Sequence, residues 1–135
     1  MEKTVREQPV VLYVDDISAN LMLFEATFES DFRVLLAASG DEALDVLKEH
    51  DVSVIVSDQN MPGMSGNELL EKVSEEYPQI MRFMITAYTD YEIVVDAVNK
   101  GKIYGFFNKP YNADEVRMAI KKSLEVRELR LKNQE

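Results

Sequence analysis

Several common features are absent from this sequence of 135 residues. It contains no cysteine, which excludes a disulfide framework. No apolar run approaches the roughly 20 residues that a membrane-spanning helix needs, so we expect no membrane segment. The first residues, MEKTVREQP, lack the apolar stretch of a secretory signal. Together these absences predict a cytoplasmic protein.

Positive charge is also scarce. The sequence has 15 basic residues against 25 acidic ones, which gives a formal net charge of -10. A nucleic-acid backbone would be repelled by this field unless a basic patch overcame it, so we expect no direct contact with nucleic acid. Hydrophobic residues make up 46% of the chain and charged residues 30%, as is typical of a globular protein. The length fits a single domain.

Five short apolar runs alternate with five stretches of helical periodicity, which is the pattern of a parallel sheet with crossover helices. The runs are VVLYV (10–14), RVLLAA (33–38), VSVIVS (52–57), IMRFMITA (80–87) and IYGFFN (103–108). The predicted helices span residues 18–28, 41–50, 67–77, 91–100 and 113–133. Apolar residues are continuous within the runs, which indicates strands covered on both faces. The fold class is therefore α/β, and Asn112 is a candidate N-cap of the last helix.

Polar residues follow or end four of these runs. They are Asp15 and Asp16, Asp58, Thr86, and Lys109. Because ligands bind at the carboxyl ends of parallel strands, we expect these side chains to converge in one crevice. Three carboxylates in one crevice would repel each other strongly unless a cation lay between them. Mg²⁺ suits such a set of oxygen ligands and leaves coordination positions for a phosphoryl oxygen.

This combination of groups has a chemical use. A carboxylate can attack phosphorus and carry the phosphoryl group, and such a reaction is catalysed mainly by positioning and charge neutralisation. Asp58 is the candidate nucleophile. The ammonium group of Lys109 would supply positive charge, and the hydroxyl of Thr86 could donate a hydrogen bond to a phosphoryl oxygen.

Four motifs in the chain resemble those of the receiver domains of two-component response regulators. YVDD (13–16) is similar to the acidic pair of the family, and DQNMPGMSG (58–66) to its phosphoacceptor loop. ITAY (85–88) is similar to the hydroxyl motif of the fourth strand, and NKP (108–110) to the lysine-proline motif. The motifs occur in the order of the family, and the resemblance covers the chain from about residue 10 to about residue 124.

The resemblance implies both a fold and a function. The fold would be a single doubly wound, five-stranded parallel sheet in the order 2-1-3-4-5 with five helices, as in CheY-like and flavodoxin-like proteins. Asp58 would accept a phosphoryl group from a histidine kinase or a histidine phosphotransfer protein in a Mg²⁺-dependent reaction. The Mg²⁺ ligands, direct or through water, would be Asp15, Asp16, Asp58 and the backbone carbonyl of Asn60.

The resemblance also implies a conformational switch. Thr86 would move toward the phosphoryl group while Phe106 turns inward, and the surface of the fourth helix, fifth strand and fifth helix would change for a partner. Many members of the family carry tyrosine where this chain has Phe106. Phenylalanine has no hydroxyl, so the switch would depend on packing alone. Tyr88, two residues after Thr86, would slow the approach of the water that removes the phosphoryl group.

The sequence predicts three segments. Residues 1–8 form an N-terminal extension, residues 9–124 the receiver domain, and residues 125–135 a continuation of the last helix. Because helical character continues to the last residue, we favour 125–135 as a linker to an output domain outside this sequence; the alternative is a stand-alone regulator. The oligomeric state is left open between a monomer and a homodimer through the fourth and fifth helices, because the sequence shows no clear complementary charge pattern on them.

Two other functions are compatible with some of these residues. A Mg²⁺-dependent phosphatase of the haloacid dehalogenase type also forms an aspartyl phosphate, but its nucleophile normally opens a DxDxT motif after the first strand. Here the nucleophile candidate Asp58 follows the third run. A module that binds partners without phosphorylation is the other alternative, and the presence of Asp58, Thr86 and Lys109 argues against it.

Overall fold

The computed structural model describes residues 8–87 and 91–133. Strands β1 to β5 span Val10–Val14, Arg33–Ala37, Val54–Asp58, Met81–Thr86 and Gly105–Asn108. Helices α1 to α5 span Ser18–Phe28, Gly40–Glu49, Gly66–Glu76, Tyr91–Asn99 and Ala113–Asn133. The strands form one parallel sheet in the order β2-β1-β3-β4-β5. The predicted α/β class, the five helices and the strand order are therefore confirmed.

Strands β3 and β5 begin two residues later than their apolar runs predicted, at Val54 and Gly105. Val52 and Ile103, which open those runs, are nevertheless buried. Both side chains belong to the core although they precede the assigned strands. Hydrophobicity reports burial rather than strand pairing, which explains the difference.

The core is divided by the sheet into two layers. Side chains of α2, α3 and α4 pack on one face, and side chains of α1 and α5 pack on the other. Successive residues of β1 contribute to opposite layers: Leu12 and Val14 to the first, Val11 and Tyr13 to the second. This alternation follows from the two-residue period of a strand. It also explains why the sequence of β1, VVLYV, is apolar throughout.

Side-chain caps fix the beginnings of three helices. The Ser39 hydroxyl accepts a hydrogen bond from the Glu42 amide at the start of α2. Asn112 accepts one from the Glu115 amide at the start of α5, so the predicted N-cap is confirmed. Ser65 and Glu68 form a reciprocal capping box at α3, which the helix prediction did not use although Ser-x-x-Glu is its sequence signature.

The last helix continues well past the core. It runs for 21 residues, and its buried side chains, Val116, Ile120 and Ser123, all lie in its first half. Arg127 donates from Nε to the carbonyl of Gln79, which ties the second half to the loop before β4. Within residues 8–87 and 91–133, no helix is both long and apolar enough to cross a membrane.

Candidate functional site

Carboxylates gather at the carboxyl ends of the central strands. Asp15 follows β1 directly, and Asp58 is the last residue of β3. Because β1 and β3 are parallel neighbours with Val14 opposite Ser57, both strands end at the same edge of the sheet. Asp15 and Asp58 are 0% and 2% exposed, whereas Asp16 is exposed. One oxygen from each of the three carboxylates lies within 4.8 Å of the others.

Lys109 brings positive charge into this cluster. Its Nζ lies 2.8 Å from Oδ1 of Asp58 and 4.0 Å from Oδ2 of Asp15. The loop after β5 is held in place because the Lys109 amide donates to the carbonyl of Thr86 at the end of β4. The peptide bond between Lys109 and Pro110 is cis. One lysine thus faces three carboxylates.

The charges have opposing effects on Asp58. Burial raises the pKa of the Asp58 carboxyl group above its ordinary value, because a low-dielectric surrounding disfavours the charged form. The hydrogen bond and charge of Lys109 lower this pKa, and the charges of Asp15 and Asp16 raise it. The net shift is upward. Additional positive charge in the pocket would therefore favour the ionised Asp58.

Thr86 lies on the neighbouring strand and is 1% exposed. It ends β4 one residue beyond Ile85, which is paired with Asp58. Its hydroxyl donates to the carbonyl of Ala87 over 3.3 Å, a long bond that a better acceptor could replace. The structure therefore brings all five predicted polar residues to one edge of the sheet.

The loop after β3 is shaped by a close backbone approach. The Gly66 amide donates to the carbonyl of Gln59, and the buried Gln59 side chain accepts from the Asn67 amide at 2.7 Å. A Cβ at Gly66 would lie only 2.3 Å from the carbonyl oxygen of Asp58. Glycine at this position lets α3 begin directly against the end of β3. Asn60 lies in the same loop and is exposed.

Sequence reasoning missed two side chains that contact the cluster. The Tyr13 hydroxyl donates to Oδ2 of Asp15 at 2.8 Å, and the Asn20 amide donates to the same oxygen at 3.1 Å. Burial first, and then the hydrogen bond and the charge of Asp15, raise the pKa of Tyr13 far above its ordinary value, so the hydroxyl stays protonated. The sequence does contain an indication of the contact between Tyr13 and Asp15. Tyr13 lies two residues before Asp15, and residues two apart lie on the same face of an extended chain.

Two aromatic residues of the predicted switch surface are partly exposed. Phe106 is 39% exposed and lies in β5 opposite Met84 of β4. Tyr104, just before β5, is 42% exposed and its ring contacts Phe83 edge-on. Phe106 thus lies in an outward, partly exposed position, and its role in a switch stays a prediction. Tyr88 lies outside the described residues.

The donor set of the cluster fits a hard divalent cation. Its candidate ligands are carboxylate oxygens, which Mg²⁺ prefers, and Asp16 leaves the cluster open to solvent on one side. Asp15 and Asp58 carry buried charge that a cation would offset. The residues present therefore fit a Mg²⁺ ion.

Comparisons with known proteins agree with this arrangement. The family model of the response regulator receiver domain matches residues 11–121. The hydrogenase transcriptional regulatory protein HoxA of Cupriavidus necator is 38% identical over 123 residues, covering 91% of this chain and 26% of that protein. Sporulation initiation phosphotransferase F of Bacillus subtilis is 30% identical over 115 residues, covering 84% of this chain and 92% of that protein.

A solved structure shows the same fold. The structure of adenylate cyclase from Rhodopirellula baltica superposes with a TM-score of 0.90 at 32% identity, covering 94% of this chain and 95% of that one. The chain spans only about a quarter of the HoxA protein, 26% of its length. The part of HoxA that resembles this chain is therefore one domain of a longer protein. The family model, the relatives and the five-stranded fold together show that the chain belongs to the response regulator receiver domains.

Proposed function

We propose that Asp58 is the phosphoacceptor of a two-component signalling pathway. The observation that supports this most strongly is its environment: the carboxylate is 2% exposed, 2.8 Å from the Lys109 ammonium, and clustered with two further carboxylates. A buried aspartate that was only structural would not need two more carboxylates beside it, since their charges disfavour its ionisation. The cluster opposes the ionisation of Asp58, and we infer that its role is chemical.

In the proposed reaction, a carboxylate oxygen of Asp58 attacks the phosphorus of a phosphohistidine. A P–O bond forms, the P–N bond breaks, and its electron pair stays on the imidazole nitrogen of the donor. Lys109 is in ion-pair contact with Asp58 before the reaction and offsets negative charge on the transferred group. The hydroxyl of Thr86 then donates to a phosphoryl oxygen.

Asp15, Asp16, Asp58 and the backbone carbonyl of Asn60 would hold Mg²⁺, directly or through water. When bound, the ion would neutralise charge on the phosphoryl oxygens as they approach the anionic pocket. Asp15 and Asp16 thus contribute to the reaction only in the presence of a cation. Without one, their charge opposes the approach of a phosphoryl group.

The added phosphoryl charge is the proposed signal. It brings about -2 charge into the pocket, toward which Thr86 moves while Phe106 turns inward. The surface of α4, β5 and α5 then changes for a partner. We propose a histidine kinase or histidine phosphotransfer protein as the donor and an output domain after residue 135 as the responding element. A homodimer through α4 and α5, a cytoplasmic location, and the absence of nucleic-acid and membrane contacts stay predictions.

Intact-mass measurement after incubation with acetyl phosphate and Mg²⁺ tests the proposal. We expect one phosphoryl group per chain on the wild-type protein and none on Asp58→Asn. Asp51→Asn is the matched control, because Asp51 is exposed and precedes β3 at the opposite end of the sheet. It should be modified like the wild type.

Three results would contradict the proposal. An unmodified wild-type protein would favour a module that binds without phosphorylation. Multiple turnover on external phosphomonoesters would instead favour a phosphatase. Equal modification of Asp58→Asn and wild type would place the acceptor elsewhere.

A further inference from the structure

The carboxylate of Asp15 is fully buried and accepts hydrogen bonds on both oxygens. Oδ2 accepts from the Tyr13 hydroxyl at 2.8 Å and from the Asn20 amide at 3.1 Å. Oδ1 accepts from the Ile17 backbone amide at 3.0 Å. Each carboxylate oxygen has two lone pairs, so both on Oδ2 are engaged and one on Oδ1 stays available. The three hydrogen bonds therefore hold the carboxylate of Asp15 in one orientation.

Tyr13 is held firmly in position to make its bond. It lies two residues before Asp15, so both side chains leave the chain on the same face. Its ring is 1% exposed and stacks on Phe24 of α1, with centroids 4.1 Å apart and planes 1° from parallel. Packing thus restricts the ring, and the hydroxyl cannot turn away from Asp15 without disturbing α1.

We propose that Tyr13 is a positioning residue for the metal-binding carboxylate of Asp15, whose orientation it fixes through the hydrogen bond to Oδ2. This inference rests on the proposed Mg²⁺-dependent function and adds a determinant of cation affinity to it. Partners that hydrogen-bond a metal-ligating carboxylate orient it, and their loss typically weakens metal binding about 10- to 100-fold. Tyr13 acts through Asp15 and does not touch the phosphoryl group.

A purely structural role for Tyr13 makes a different prediction. If the hydroxyl only satisfied a buried carboxylate, its removal would lower the stability of the fold and leave Mg²⁺ affinity unchanged. Tyr13→Phe separates the two roles because it deletes the hydroxyl and keeps the ring on Phe24. Mg²⁺ affinity is therefore the measurement that distinguishes the two roles. Thermal stability reports the effect of the substitution on the fold.

The experiment is a titration with MgCl₂ followed by NMR, in which the backbone amides near Asp15 and Asp58 report binding. We expect Tyr13→Phe to raise the Kd for Mg²⁺ about tenfold or more. The matched control is Tyr111→Phe, which deletes a hydroxyl bonded to Thr27 in the same aromatic cluster. Its Kd should equal that of the wild type.

A rise of about tenfold or more that is specific to Tyr13→Phe supports the inference, on the scale expected for such partners. A smaller rise, or an equal rise in the Tyr111→Phe control, overturns it. If the wild-type protein itself bound no Mg²⁺, the proposed Mg²⁺-dependent function would fail together with the inference about Tyr13. If the wild type bound Mg²⁺ and Tyr13→Phe bound it equally well, only the inference would fail.

If Tyr13→Phe does not fold, a second measurement on the wild-type protein still tests the inference. In the wild-type protein, the hydroxyl proton of Tyr13 is buried and bonded to Asp15, so we expect it to exchange slowly and to give a separate NMR signal. Addition of Mg²⁺ should shift that signal. A signal that stays in place at saturating Mg²⁺ overturns the inference.

Discussion

Gly66→Ala is a substitution for which two physical effects predict opposite results. Gly66 is the first residue of α3. In an exposed helix interior, alanine would be more stable than glycine by about 1 kcal/mol. The structure opposes this, because a Cβ at position 66 would lie 2.3 Å from the Asp58 carbonyl oxygen and 2.9 Å from Cα of Gln59. Both neighbours are backbone atoms, which cannot move aside as the end of a flexible side chain can.

The steric effect should dominate. Overpacking in a tightly packed region typically costs about 1 to 3 kcal/mol. The contact at Gly66 is severe enough that α3 must shift away from β3, which also weakens the bond from the Gly66 amide to Gln59. We therefore expect a net loss of about 2 kcal/mol in the free energy of unfolding. Because the clash falls on the backbone carbonyl of Asp58, phosphorylation by acetyl phosphate should also slow.

Urea unfolding and the phosphorylation rate are the two assays. Gly101→Ala is the matched control: its φ of +71° strains an alanine, but nothing lies within 4 Å of the added Cβ. It should lose about 1 to 2 kcal/mol of stability and be phosphorylated at the wild-type rate. A Gly66→Ala protein as stable as the wild type would refute the steric reasoning. A Gly101→Ala protein that also reacts slowly would show that lost stability alone slows the reaction.

Three further predictions concern the site. The pKa of Asp58 is raised, so the metal-free fold should lose stability as the pH rises from the ordinary aspartate range through the raised value. Asp58→Asn should lose less stability over the same rise in pH in urea unfolding, and equal slopes would argue against a raised pKa. Lys109→Met should slow phosphorylation by acetyl phosphate about 100-fold or more, and a rate near that of the wild type would remove Lys109 from the reaction. Beryllofluoride with Mg²⁺ should bury Phe106, now 39% exposed, and unchanged ring resonances in NMR would contradict the switch.

The order of the strands and the convergence of the polar residues could be anticipated from the sequence for different reasons. Continuous apolar runs separated by helical periods indicate a covered parallel sheet. In such a sheet the residues that end the strands lie at one edge. Asp15 and Asp58 lie at the ends of neighbouring strands, and the long side chain of Lys109 reaches Asp58 from beyond β4. The order 2-1-3-4-5, which places β1 beside β3 and separates β5 from β3 by β4, came from the family resemblance.

Other features depend on contacts that no local pattern encodes. The need for glycine at position 66 arises from the approach of α3 to the Asp58 carbonyl, a contact that exists only in the folded chain. The stacking of Tyr13 on Phe24 likewise joins β1 to α1. By contrast, the capping box of Ser65 and Glu68 was present as a local signal and could have placed the start of α3. Local signals thus locate element ends, and close approaches require the assembled fold.

The location of the phosphoryl group is the most direct measurement. After reaction with acetyl phosphate, borohydride converts an aspartyl phosphate to homoserine, and peptide mass spectrometry identifies the position. We expect homoserine at position 58 when Mg²⁺ is present, and its loss when EDTA removes the ion. Homoserine at another aspartate, or equal modification of Asp58 with EDTA, would contradict a Mg²⁺-dependent acceptor built around this carboxylate.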